Sequence, residues 1–104
     1  MFYSIHCLDN PQTPELREKH YEDHRAYLAT PSLKIMLAGP LLDDSSMSRI
    51  GSLLVVEAQS KEEVLDFHNK DPFAKAGVWE NVSILEYMVS TGILKKEIEQ
   101  KSTI

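Results

Sequence analysis

The segment GSLLVVEA, residues 51–58, carries apolar side chains at four successive positions, Leu53 to Val56. Successive side chains of a strand point to opposite faces. This strand is therefore apolar above and below, and it belongs inside a sheet that is covered on both sides. The chain has 104 residues, enough for one domain with a single modest core. A strand that needs two covers, in a chain that can build one core, restricts the fold more than any other feature.

The remaining periodicities supply the first cover. FYSIHCL (2–8) reads as a strand that ends at the turn formers Asp9-Asn10-Pro11. Thr13-Pro14-Glu15 then opens a helix, with Thr13 as cap, Pro14 at the first helical position and Glu15 complementing the dipole. Pro31 disfavours helical geometry at Thr30 and stops the helix near Ala29. LKIMLAGPLL (33–42) is a second strand that runs into a Gly39-Pro40 break, followed by a polar loop from Asp43 to Ser48.

After the apolar strand, Ser60 and Glu63 form a capping box for a helix to about Lys70, with Val64, Phe67 and His68 on one face. Asp71-Pro72 restarts the chain as a cap plus first-turn proline, and Gly77 closes that short segment. NVSILEYMV (81–89) is a fourth strand, and Thr91 to Gln100 resembles a short extra helix with Ile93, Leu94 and Ile98 apolar.

The order βαββαβ predicts an α+β, ferredoxin-like domain over residues 1–90, with an antiparallel four-stranded sheet and both helices on one face. The second face would be bare and apolar, which soluble monomers rarely tolerate. Two sheets packed face to face resolve this, so a homodimer is expected. Residues 91–104 are expected to clasp the partner or cover a sheet edge.

Composition narrows the function classes. A formal charge of −5 argues against nucleic acid, which calls for clustered Lys and Arg. A single cysteine, Cys7, excludes an internal disulfide framework and suits a reducing cytosol. MFYSIHCLDN has neither a basic n-region nor an apolar h-region, and no apolar run approaches the roughly 20 residues that span a bilayer. The expectation is a cytoplasmic protein with no membrane partner. Four scattered glycines make no phosphate cradle, and Ser45, Ser46 and Ser48 lack a nucleophile-elbow context.

The stretch LREKHYEDHRAYL (16–28) is unusual for where its charges fall. At about 100° per residue, Leu16, His20 and Tyr27 share a narrow arc, with Arg17, His24 and Leu28 beside it. Basic side chains thus lie on or near the packing face, where an acid or a polar cavity has to meet them. His24 reads either as a structural histidine bonded to a carbonyl or as a general acid/base. Arg17, about two turns earlier, either lies over apolar neighbours or holds a carboxylate or phenolate in bidentate fashion.

His20 and His24 form an i, i+4 pair, but HYEDH lacks the glutamate directly after the first histidine that a zincin helix uses, so no metal is expected. Asp71 reads first as a helix cap, yet a cap carboxylate can also orient an imidazole. Gly39-Pro40 either ends a strand or borders a pocket, and Cys7 reads as buried and inert.

Taken in order, R-x6-H-x3-L (Arg17, His24, Leu28), AGPL (38–41), EAQSKEEVLDF (57–67) and DPFAKAGVWENVSILEY (71–87) resemble the YciI-like, or YCII-related, family over about residues 2 to 88. The resemblance implies a ferredoxin-like subunit that dimerises as an α/β barrel. It also implies an acid/base dyad of His24 and Asp71 at a pocket, with Arg17 as an anion anchor and no cofactor. One branch of the family removes chloride from a chlorinated hydroxyhydroquinone, and muconolactone isomerases and small monooxygenases share the fold.

The leading expectation is a cofactor-free lyase or isomerase acting on a small oxygenated, aromatic or lactone-like molecule. A non-catalytic binding or structural homodimer, and an antibiotic-monooxygenase-like oxygenase, are the alternatives. The sequence departs from the family pattern beyond Val89 and in the Asp43–Arg49 loop.

Overall fold

The structure is a computed structural model that describes residues 1–102, with side chains to residue 98. Residues 103 and 104 of the expected extension lie outside the described residues. The elements are β1 (Phe2–Asp9), α1 (Glu15–Ala29), β2 (Lys34–Leu42), β3 (Arg49–Glu57), α2 (Lys61–Asn69), α3 (Pro72–Ala76), β4 (Trp79–Tyr87) and α4 (Ile93–Ser102). The sheet has four antiparallel strands in the order β2-β3-β1-β4, the ferredoxin-like arrangement.

Strand pleating sorts the core. Tyr3, Ile5 and Cys7 of β1 pair with Val56, Leu54 and Ser52 of β3, and all six are buried beneath the helices. Val64, Phe67, Phe73 and Val78 close the same core from above. Gly51 is required here, because any Cβ at that position would collide with the Cys7 carbonyl oxygen.

The alternate residues form the open face. Leu37, Val55, Phe2 and Tyr87 run across it, and Leu85 on β4 is 61% exposed. The apolar residues Ile93, Leu94 and Ile98 of α4 border a groove of about 290 Å³ on this face. The interior position expected for the LLVV strand holds, since β3 lies between β2 and β1.

Three local expectations are corrected. The Gly39-Pro40 step does not end a strand, because β2 continues to Leu42 with Pro40 opposite Ser52. β2 is an edge strand, so a residue without an N–H is tolerated there. Thr13 does not cap α1: no side chain does, and the buried Thr13 Oγ1 has no partner. The capping box at α2 is displaced by one residue. Ser60 Oγ accepts from the Glu63 N–H at 3.2 Å, but the Glu63 carboxylate accepts from the Gln59 N–H at 3.1 Å.

Candidate active site

Asp71 and Phe73 come from one short motif, Asp-Pro-Phe, whose backbone geometry is fixed by Pro72 at the start of α3 and by Gly77 at its end, φ 75°. Asp71 Oδ1 accepts the Phe73 N–H at 2.9 Å and so caps α3. The same oxygen lies 2.7 Å from His24 Nδ1. The Phe73 ring stacks flat on the His24 imidazole, centroids 3.9 Å apart and planes within 3°. Trp79 meets the imidazole edge-on at 5.9 Å. One motif thus supplies both the carboxylate and the aromatic plate that fix the histidine.

Asp71 is 2% exposed and His24 8%. His24 is nonetheless not sealed, because it lines a cleft of about 190 Å³ between α1 and the β2–β3 hairpin. With Nδ1 committed to Asp71, Nε2 is the nitrogen available for a second proton partner. Gly39 and Pro40 line the same cleft, as the sequence reading allowed, and Arg17 does too.

Arg17 is not a free anchor. Its Nε and Nη2 donate to Asp9 at 2.7 and 2.8 Å, and Nη2 also donates to Ser52 Oγ at 2.9 Å. The edge expected to take a substrate anion therefore holds Asp9, and Nη1 is what remains. Ser52 also accepts from Trp79 Nε1 at 3.3 Å, which ties Asp9, Arg17, Ser52 and Trp79 into one half-buried network. The Arg17 guanidinium lies 5.0 Å from the Phe73 ring centroid.

Sequence reasoning missed Asp9, Ser52 and Trp79. Asp9 read as a turn former, and nothing in its spacing marks it as the partner of Arg17 across the β1–α1 connection. Tyr21, Arg25 and Arg49, which also line the cleft, were missed too. Only three-dimensional packing brings the start of β3 over α1.

The other candidates lie elsewhere. Burial, then the nearby Asp71 and Asp9 carboxylates, push the Cys7 thiol up to about 12, so it is an inert core residue. The His20 side chain makes no hydrogen bond among the described residues, and no group of three or more metal-ligating side chains is found there.

His68 stacks on Trp79, centroids 5.2 Å apart, and burial lowers its pKa against the smaller upward pull of Asp71. A lowered histidine binds fewer protons folded than unfolded. Its contribution to stability is complete above its ordinary value of 6.5 and is lost as the pH falls through the lower folded value. The melting temperature of the chain should accordingly drop on acidification below about pH 6.5, and His68→Phe should flatten that drop. Parallel wild-type and variant curves in pH-dependent calorimetry would refute the assignment.

A family model described as the YCII-related domain matches residues 1–88. Among solved structures, 5-chloro-2-hydroxyhydroquinone dehydrochlorinase (TftG) from Burkholderia phenoliruptrix AC1100, in complex with 2,5-dihydroxybenzoquinone, is similar with a TM-score of 0.80 and 32% identity. That match covers 86% of this chain and 96% of that one. An antibiotic biosynthesis monooxygenase is similar in fold alone, with a TM-score of 0.55 at 8% identity over 88% of this chain and 100% of that one. No protein of curated function matches the chain.

Proposed function

The chain belongs to the YCII-related family, and on that premise we propose that it is a cofactor-free acid/base lyase acting on a small hydroxylated aromatic molecule. The observation that carries the proposal is the 2.7 Å contact between His24 Nδ1 and Asp71 Oδ1 at the wall of an open cleft. A merely structural histidine needs no cavity beside it. The dehydrochlorinase relative, at 32% identity, supplies the reaction type.

In this reading Asp71 accepts the Nδ1–H and stabilises the imidazolium, and Nε2 takes a proton from a ring hydroxyl. The proton is returned to the halogen-bearing carbon, giving a ketone tautomer. A second hydroxyl proton then leaves and its electron pair, relayed through the ring, expels chloride from that carbon. The sum is loss of one proton and one chloride, with the ring left as a quinone. No external oxidant enters, because the carbon that loses chloride gains hydrogen. Arg17 holds an oxygen of the ring through Nη1, while Asp9 fixes the guanidinium.

The working unit is a homodimer joined through the open sheet faces. This is supported by the exposed apolar row that includes Leu37, Leu85 and Tyr87, which a monomer would leave in water. Leu85→Glu places a charge in that contact and should yield monomers in analytical ultracentrifugation. A wild-type chain that sediments as a monomer would refute the dimer.

The function itself is tested by incubating the purified chain with 5-chloro-2-hydroxyhydroquinone under anaerobic, metal-chelated conditions and measuring chloride. Chloride release with quinone formation in equal amounts is the expected result. Absence of release above the uncatalysed rate would overturn the lyase reading for this substrate class.

A further inference from the structure

The cleft beside His24 is lined by Arg17, Arg25 and Arg49 and by no carboxylate, although the chain as a whole carries a formal charge of −5. Arg17 is answered by Asp9. Arg25 and Arg49 are not: neither has an acidic side chain within ion-pair distance among the described residues. Two unneutralised cations converging on one hollow of an acidic protein raise the local concentration of anions there.

Arg49 is held for this role. It stands where β3 begins, paired with Leu42 across the hairpin. The loop between them is pinned by Asp43, whose Oδ2 accepts from the backbone and hydroxyl of Ser45 at 3.2 and 2.8 Å and of Ser46 at 3.1 and 2.9 Å. Two backbone bonds close the loop, Asp43 N–H to Ser48 O at 2.8 Å and Met47 N–H to Asp43 O at 2.9 Å. The Arg49 guanidinium then lies over the ring of Tyr21, 5.6 Å from its centroid, which places the charge at the mouth of the cleft. Glu18 and Glu22 line a neighbouring groove that Arg49 also borders, not the cleft, and neither forms an ion pair with Arg49.

We propose that Arg25 and Arg49 form an anion-selecting gate, and that the molecule bound beside His24 enters as an organic oxyanion, with one oxygen already ionised and its remaining hydroxyls still carrying the protons that Nε2 takes. The inference takes its cleft from the proposed function but concerns the charge of the ligand, not the reaction. Guanidinium groups recognise such oxygens through charge-assisted hydrogen bonds. Arg17 cannot be the main reader of that charge, because Asp9 already neutralises it.

The test is equilibrium binding, followed by Trp79 fluorescence, of 2,5-dihydroxybenzoquinone and its neutral dimethyl ether. The first is ionised at neutral pH because each hydroxyl is a vinylogous carboxylic acid. Wild type should prefer the anion by at least about tenfold, and the preference should shrink as ionic strength rises. The Arg25→Gln/Arg49→Gln double variant should lose most of the preference while its affinity for the ether stays unchanged, and Arg49→Lys should keep most of it. Circular dichroism checks that the variants fold.

A wild type without the preference overturns the proposal. So does a double variant that keeps it, which would return the role to Arg17, or one that loses both ligands equally, which would make the arginines walls of the cleft. Because binding alone is read, an unselective cleft and an inactive dyad fail separately.

Discussion

His24→Ala should lower the rate of chloride release from a chlorinated hydroxyhydroquinone by at least about 100-fold, since a positioned acid/base group contributes about 10²–10⁴-fold. The fold should survive. His24 touches the domain through Phe73, Trp79 and Asp71, and Asp71 keeps its Phe73 N–H when the imidazole is gone. Truncation of this one stacked ring should cost about 1–3 kcal/mol, within the margin of a stable domain. His24→Gln is the sharper control, because its amide can fill the space and reach Asp71 but cannot exchange a proton near neutrality. Added imidazole, entering the space left in the Ala variant, should restore part of the rate. Near-normal turnover in either variant would remove His24 from the mechanism.

That expectation rests on a helix whose polarity pattern is wrong for simple packing, and it is the part of the site most legible in the sequence. Placing Arg17 and His24 near the buried arc required only helical geometry, and burial of a basic group required an acid opposite. The Asp-Pro-Phe restart was legible as a cap, and cap geometry is what leaves Asp71 facing back toward the first helix. The partner of Arg17 was not legible. Asp9 looked like one of three turn formers, and its carboxylate becomes a ligand for the guanidinium only because the fold brings the end of β1 beside the first turn of α1.

The fold was legible for a related reason. A strand apolar on both faces, flanked by two helix-period segments and three other strands, leaves few topologies in which one core suffices. Local signals failed where tertiary context decided. Gly39-Pro40 breaks a strand only if the missing N–H is needed, and an edge strand such as β2 tolerates its loss. Thr13 was the natural cap by residue type, yet the chain enters α1 with that hydroxyl buried and unbonded. The cationic mouth of the cleft escaped sequence reading altogether, since Arg25 falls on the solvated side of the first helix and Arg49 lies 24 positions further along the chain.

Asp71 is where the fold and the proposed chemistry meet, and its variants should separate the two. Asp71→Ala removes the cap of α3, worth about 1 kcal/mol, and leaves the buried His24 Nδ1–H unpaired, at about 1–3 kcal/mol. Together these should lower stability by about 2–4 kcal/mol, read as a large fall in denaturation midpoint. Asp71→Asn retains an oxygen in the same position, so it can still accept from Phe73 and from the histidine. Its stability should lie much closer to wild type. Its activity should not, because the neutral amide cannot stabilise the imidazolium formed when Nε2 takes the substrate proton. A turnover loss of at least about tenfold in a well-folded Asn variant is the expected result. Should Asn retain full activity while Ala unfolds, Asp71 is a helix cap that happens to touch a histidine, and the general base works without it.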